Sequence, residues 1–301
     1  MIGFNAFTSA RRVRAWTLTL TGAGAILGWT LGQWLPDLQW PLAALLIGLI
    51  GIQHGALDHI LHAHMHGDPE GPLRQSFVLP YIAGMGVAWA AFEWAPSVML
   101  GLFLIVSAYH FGMSHLRVDA MRQQRPPTSA KALAGTLIGM ALIAPLVLRP
   151  DALVILSEYG WAFDLRGQAQ WLPLQVATGC AAFLTAVLHQ EVKSGLLPLA
   201  GALLAWMVPD LLLAFALYFV LGHSREAFLD EFKNRQSMAV RFSSLYLRSL
   251  PLSITFGIMA AGVFWLTATE VLSERSALSF LLAGTLPHIA VIENWVTART
   301  R

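Results

Sequence analysis

The chain has 301 residues, of which 56% are hydrophobic and 12% charged, with a formal net charge of +2. Soluble domains carry about 25% charged residues, so a water-soluble globule of this length could not hide its apolar load, and lipid is the expected solvent. A charge balance so close to neutral gives no footing for a nucleic-acid partner.

The first 15 residues, MIGFNAFTSARRVRA, are short and basic. No small-residue cleavage site follows closely, so the next apolar run is expected to be an uncleaved first membrane helix and 1–15 a cytoplasmic N-terminal segment. A bilayer core takes about 20 apolar residues per helix. Candidate spans fall at 16–35, 41–62, 78–95, 98–116, 131–149, 171–189, 195–208, 210–224, 251–270 and 276–297. The seventh and eighth are short and divide at Pro209-Asp210. They form two tilted spans or one broken helix, which makes eight to ten spans in all.

Basic residues gather on the cytoplasmic side. Ten crossings with the N-terminus inside leave only Arg149, Arg166 and Arg275 of the 19 basic residues outside. Merging the seventh and eighth spans would send the basic cluster at 225–248 outside, so ten crossings are preferred. The expected fold is an all-α polytopic transmembrane helix bundle. It forms one membrane domain over 1–301, placed in the cell's inner (plasma) membrane with a cytoplasmic N-terminus.

Gly24, Gly28 and Gly32 in the first span make a close-packing face. QRPPTS (124–129) is a loop, because two prolines break a helix. Residues 225–250, basic with apolar residues interleaved, suit an amphipathic interfacial helix. Cys180 lies in the run VATGCAAFLTAV; as the lone cysteine it has no internal disulfide partner and reads as packing.

The second span runs into GIQHGALDHILHAHMHG (51–67), which holds five of the ten histidines: His54, His59, His62, His64 and His66. His110 lies in the fourth span, His223 ends the eighth, and His288 lies in the tenth. In the ten-span topology these four helices all run from outside to inside. His54, His110, His223 and His288 then sit at similar depth in the inner half. Ionisable groups in a bilayer face the bundle interior. Neutral imidazole is the commonest metal ligand, and four imidazoles without a thiolate suit a divalent transition metal, iron and copper included. A single membrane histidine is more often a hydrogen-bonded packing residue; four at one depth favour a ligand set.

Asp58 lies one turn after His54 on the same face. It is either the carboxylate that fixes a ligand histidine's tautomer or a cap near the inner surface. Gly55 and Gly112 permit close approach, by substrate or by another helix. His62 continues the His54–Asp58 face by spacing and His59 is rotated away. His59, His62, His64 and His66 fit a wet interfacial cluster better than a second metal site. His115, five residues past His110, points elsewhere, and His189 is interfacial. Glu293 faces the cavity or lies at the helix end.

HGALDH in the second span, YHFG in the fourth, YFVLGHS before a basic segment and LPH in the last occur in this order. Together they resemble the Brp/Blh family of bacterial and archaeal β-carotene 15,15′-dioxygenases, over roughly residues 45 to 295. The resemblance implies an integral membrane, iron(II)-dependent enzyme. Such an enzyme splits β-carotene at its central double bond with O2 to give two retinal molecules. Carried over by motif, its iron ligands include His54, His110 and His223.

Two departures stand out. The family pattern has a further ligand histidine about one turn after the HS motif, where this chain has Ala227. The fourth-span motif tends to be followed by an acidic residue, where this chain has Ser114 and His115. Either His288 completes the ligand set, or three protein imidazoles hold the metal, or the site is altered.

A lipid-dissolved hydrocarbon substrate calls for an apolar tunnel with few polar groups. Tyr109, Phe111, Tyr218, Phe219 and Trp295 lie close in sequence to the histidines and are candidates to line it; each alone is equally explained as helix packing. Three other classes compete: a di-iron hydroxylase or desaturase, a haem-binding membrane protein, and a transporter with a helix broken at Pro209-Asp210. The di-iron class needs about eight histidines in tight boxes, and this chain offers only the loose HILHAHMH and HFGMSH.

Overall fold

A computed structural model describes residues 10–67, 75–123, 128–147, 149–161, 207–225 and 242–300. No strand occurs among the described residues. Helix α1 spans Ala10–Trp34, and a 3₁₀ turn, Pro36–Leu38, leads into α2, Gln39–Leu46. A π turn, Ile47–Gly51, joins α2 to α3, Ile52–Ala56, and α4 comes next over Asp58–Met65. Then come α5 (Gln75–Trp94), α6 (Pro96–Gln123), α7 (Ser129–Val147), α8 (Pro150–Glu158) and α9 (Leu211–Leu217). A second π turn, Tyr218–Ser224, extends α9; α10 (Phe242–Ala268) and α11 (Glu274–Thr300) complete the described part.

Among the described residues, five helical stretches are long and apolar enough to cross a membrane: Pro36–Met65, Gln75–Trp94, Pro96–Ser114, Ser244–Ala268 and Glu274–Ala298. Shorter apolar helices cover Ser129–Ile143 and Leu211–Ser224. The expected spans at 41–62, 78–95, 98–116, 131–149, 210–224, 251–270 and 276–297 fall on these helices, and 16–35 falls on α1. The polytopic helical bundle expected from composition is the fold observed. The expected span 171–189, most of 195–208, and Arg166, Cys180, His189 and Ala227 lie outside the described residues. Residues 242–250 of the expected interfacial segment are the first turns of α10; 226–241 lie outside the described part.

The outward faces are apolar. Trp34, Trp94, Val87, Ile258 and Val271 are all well exposed, as they must be where lipid replaces water. Helix association in lipid gains little from hydrophobicity and depends on close backbone approach. A Cβ on Gly112 of α6 would overlap the Gly135 carbonyl of α7, and one on Gly139 would overlap the Ala108 carbonyl. The α6–α7 pair therefore closes to a distance that only glycine allows. The stripe on α1 works more gently: Gly24 and Gly28 receive Leu217, Leu221 and Val208, and Gly32 meets Pro209 and Gln39.

The turn at Pro209-Asp210 starts α9. Asp210 accepts the Leu213 amide at 2.7 Å, an N-cap, and Arg149 donates to the Val208 and Pro209 carbonyls. A polar clamp joins α5, α8 and α11. Ser276 donates to Glu93 at 2.8 Å, the Trp89 indole donates to the Ser276 carbonyl, and the Tyr159 hydroxyl donates to the Arg275 carbonyl.

Gly112→Ala is expected to lower stability by about 1–3 kcal/mol, the usual cost of overpacking, seen as a lower Tm of the purified protein in detergent. Gly257→Ala is the control, since no atom lies within 4 Å of its added Cβ; it should leave Tm unchanged.

Candidate metal centre

Each of the four candidate histidines arrives on its own helical segment, and each segment carries a local device at that point. His54 sits in α3 directly after the Ile47–Gly51 π turn. A π turn holds an extra residue per turn and rotates the succeeding side chains by about 100° relative to an unbroken α-helix. His223 lies inside the second π turn, Tyr218–Ser224. The two π turns meet: a Cβ on Gly51 would lie 2.8 Å from the Phe219 ring, so glycine is needed there. His110 is on α6, between Ala108 and Gly112, where α7 presses closest. His288 follows Pro287 within α11; proline interrupts the backbone ladder there, and its ring rests on the position of Gly84 in α5.

The four imidazoles meet edge to face in a closed circuit. Ring centroids are 4.9 Å apart for His54 and His223, 5.2 Å for His223 and His110, 5.2 Å for His110 and His288, and 4.6 Å for His288 and His54. All four are buried, none more than 8% exposed. One ring nitrogen from each of His54, His110 and His223 lies within 4.8 Å of the other two, and these three form a group that could hold a metal ion. His288 joins through Nε2, 3.1 Å from Nε2 of His54.

Asp58 opens α4 just beyond the break at Leu57 and is fully buried. The His288 Nδ1–H donates to its Oδ1 at 2.8 Å, with Oδ2 at 3.0 Å. The Tyr81 hydroxyl donates to Oδ2 at 3.1 Å. A carboxylate only accepts, so the proton of a neutral His288 stays on Nδ1 and its Nε2 lone pair faces the cluster.

Residues given candidate tunnel roles divide into two places. Phe111, Tyr218 and Phe219 gather beside His223. Phe111 is 4.6 Å from the His223 ring, Phe219 stacks on it at 5.9 Å, and Tyr218 is 6.0 Å from Phe111. Tyr109 instead donates to Glu293 at 3.2 Å, and Trp295 packs edge-on against His64 at 5.0 Å. His62 lies against His66 and Phe77, and His59 engages its own Ala56 carbonyl at 2.7 Å. Gly55 faces Nδ1 of His288 at ordinary contact distance, so a side chain approaches there, while Gly112 admits a helix. Sequence reasoning missed Tyr81 and both π turns. It also missed the Ser249 hydroxyl, which donates to Gln53 beside His54 and ties α10 to α3.

The family profile of the β-carotene 15,15′-dioxygenases matches residues 45–296, a range that holds all four histidines, Asp58 and Tyr81. The chain belongs to the β-carotene 15,15′-dioxygenase family. It is therefore an enzyme, an oxidoreductase of the dioxygenase class. A β-carotene 15,15′-dioxygenase from uncultured marine bacterium 66A03 is 24% identical over 269 residues, covering 85% of this chain and 93% of the relative. No solved structure matches the chain.

The donor set fits a resident metal. Three buried imidazoles converge from separate segments, and a carboxylate orients a fourth, the usual arrangement around a histidine-bound transition ion. His54→Ala, His110→Ala and His223→Ala should each reduce metal in anaerobically purified protein from near one per chain to background, by elemental analysis. Asp58→Ala should weaken metal affinity about 10–100-fold.

Proposed function

We propose that this chain is an iron(II)-dependent enzyme that cleaves the central double bond of β-carotene with O2, giving two retinal molecules. The observation that carries the reading is the buried His54, His110 and His223 group, with nitrogens within 4.8 Å, inside a lipid-facing helical bundle of this family. His288 is the fourth imidazole of the centre. Its position against His54 supplies what the histidine missing at Ala227 would otherwise bring.

Iron(II), when bound, would supply the redox chemistry that lets O2 react with a closed-shell alkene. The protein supplies the rest. Imidazole ligates a metal in its neutral form, so His54, His110, His223 and His288 would add no charge beside a hydrocarbon substrate. Asp58 holds His288 and would offset one of the two charges of a dication. Phe111, Tyr218 and Phe219 present ring faces beside His223 and form the apolar wall against which the polyene lies. Tyr109 and Trp295 pair instead with Glu293 and His64 and are not assigned to that wall. Both oxygen atoms of one O2 end in the two aldehydes, so no general acid or base is required.

β-Carotene lives in the bilayer and enters sideways from lipid. The charge asymmetry of the loops supports a cytoplasmic N-terminus, and the proposed location is the inner (plasma) membrane. Family membership favours this chemistry over a di-iron hydroxylase, a haem protein or a transporter.

Expression in cells that accumulate β-carotene tests the reading. The wild-type chain should bleach the orange colour and yield retinal by chromatography. His54→Ala and His110→Ala should leave the colour intact with the protein still in the membrane. Full bleaching by both variants would contradict the ligand assignment; products other than retinal would contradict central cleavage.

A further inference from the structure

We propose that Tyr81 is a positioning residue for the metal centre, acting through Asp58 to hold His288 in the orientation that directs Nε2 at the histidine cluster. The proposal deepens the metal-centre reading and rests on it.

The geometry is a linear relay. The Tyr81 hydroxyl donates to Asp58 Oδ2 at 3.1 Å, and the Asp58 carboxylate accepts His288 Nδ1–H at 2.8 Å. His288 Nε2 then stands 3.1 Å from His54 Nε2. The relay crosses four helical segments in order: α5, α4, α11 and α3. A carboxylate held by one donor alone can turn about its Cβ–Cγ bond and carry that donor with it. A second donor fixes the plane. Asp58 is fully buried, so no bulk water can take the place of the phenol without opening the bundle.

Tyr81 is suited to act as the fixed end. Its ring lies 5.2 Å from Phe77, which is itself 4% exposed. One turn further along α5, Gly84 receives Pro287, the residue before His288. The same helix thus sets both the backbone beside His288 and, through Asp58, the direction of its ring. A structural role alone, satisfying a buried carboxylate, would make Tyr81 matter for stability but not for how the metal is held.

The test uses full-length protein purified without oxygen in detergent and titrated with Co(II), whose visible bands report ligand geometry. Tyr81→Phe keeps the ring and removes the donor. It should raise the Co(II) dissociation constant about tenfold, the scale expected when a group behind a metal ligand is lost, and shift the visible bands. Phe92→Leu, which loosens packing elsewhere on α5 against Phe103 and Tyr159, should lower Tm and leave both affinity and bands as in wild type. Replacing Tyr81 by 3-fluorotyrosine keeps the fold and makes the phenol a stronger donor, so it should move the bands without changing Tm. Wild-type affinity and bands in Tyr81→Phe, unmoved bands in the fluorinated protein, or equal shifts in Phe92→Leu would each overturn the relay. Wild-type protein that binds no Co(II) overturns the metal centre itself, which is a different failure.

Discussion

A carboxylate inside a membrane bundle has to be satisfied by groups the protein brings to it. Asp58 is fully buried, and an unpaired charge there would cost several kcal/mol. Two donors reach it, one from α5 and one from α11. The pairing of Asp58 with His288 therefore sets a demand that packing must meet: α4, α5 and α11 have to close within hydrogen-bond distance. Once they do, His288 has a fixed face, and His54, one turn before Asp58, is brought against it. The histidine circuit is built outward from that pair.

Two of the four imidazoles are placed by relaxing helical regularity. His54 and His223 are set by π turns, which trade ideal hydrogen bonding for a changed direction of the side chain. The turns lean on one another through Gly51 and Phe219. His110 needs no such device. It rides on α6 at the glycine contact with α7, so its position depends on how closely two backbones approach. Fold stability and site geometry are thus coupled: bulk added at a glycine contact moves a histidine as well as a helix.

Much of this was legible in the sequence. Apolar runs of span length marked the described helices, and histidines recurring at one depth in four runs marked the cluster. The one-turn spacing of His54 and Asp58 placed the carboxylate near the site, and the family motifs agreed with both. Other features left no readable signal. A π turn adds one residue within a run that is apolar all round, so no periodicity shifts visibly. The break at Leu57 likewise undermines extrapolation along a face, and His62, aligned with His54 by spacing, lies against His66 and Phe77. Tyr81 looked like any aromatic in QSFVLPYIAGMG, because its partner is 23 residues away. Tyr109 and Trp295 were grouped with Phe111 by proximity in sequence, although their partners are Glu293 and His64.

X-ray absorption at the iron edge of reduced, anaerobically purified protein addresses the central claim most directly. A first shell dominated by imidazole nitrogen at roughly 2.1 Å, the distance usual for histidine on a first-row dication, with the outer-ring scattering of three or four histidines, is the expected result. A shell without histidine scattering, or one containing sulfur, would contradict a centre built from His54, His110, His223 and His288.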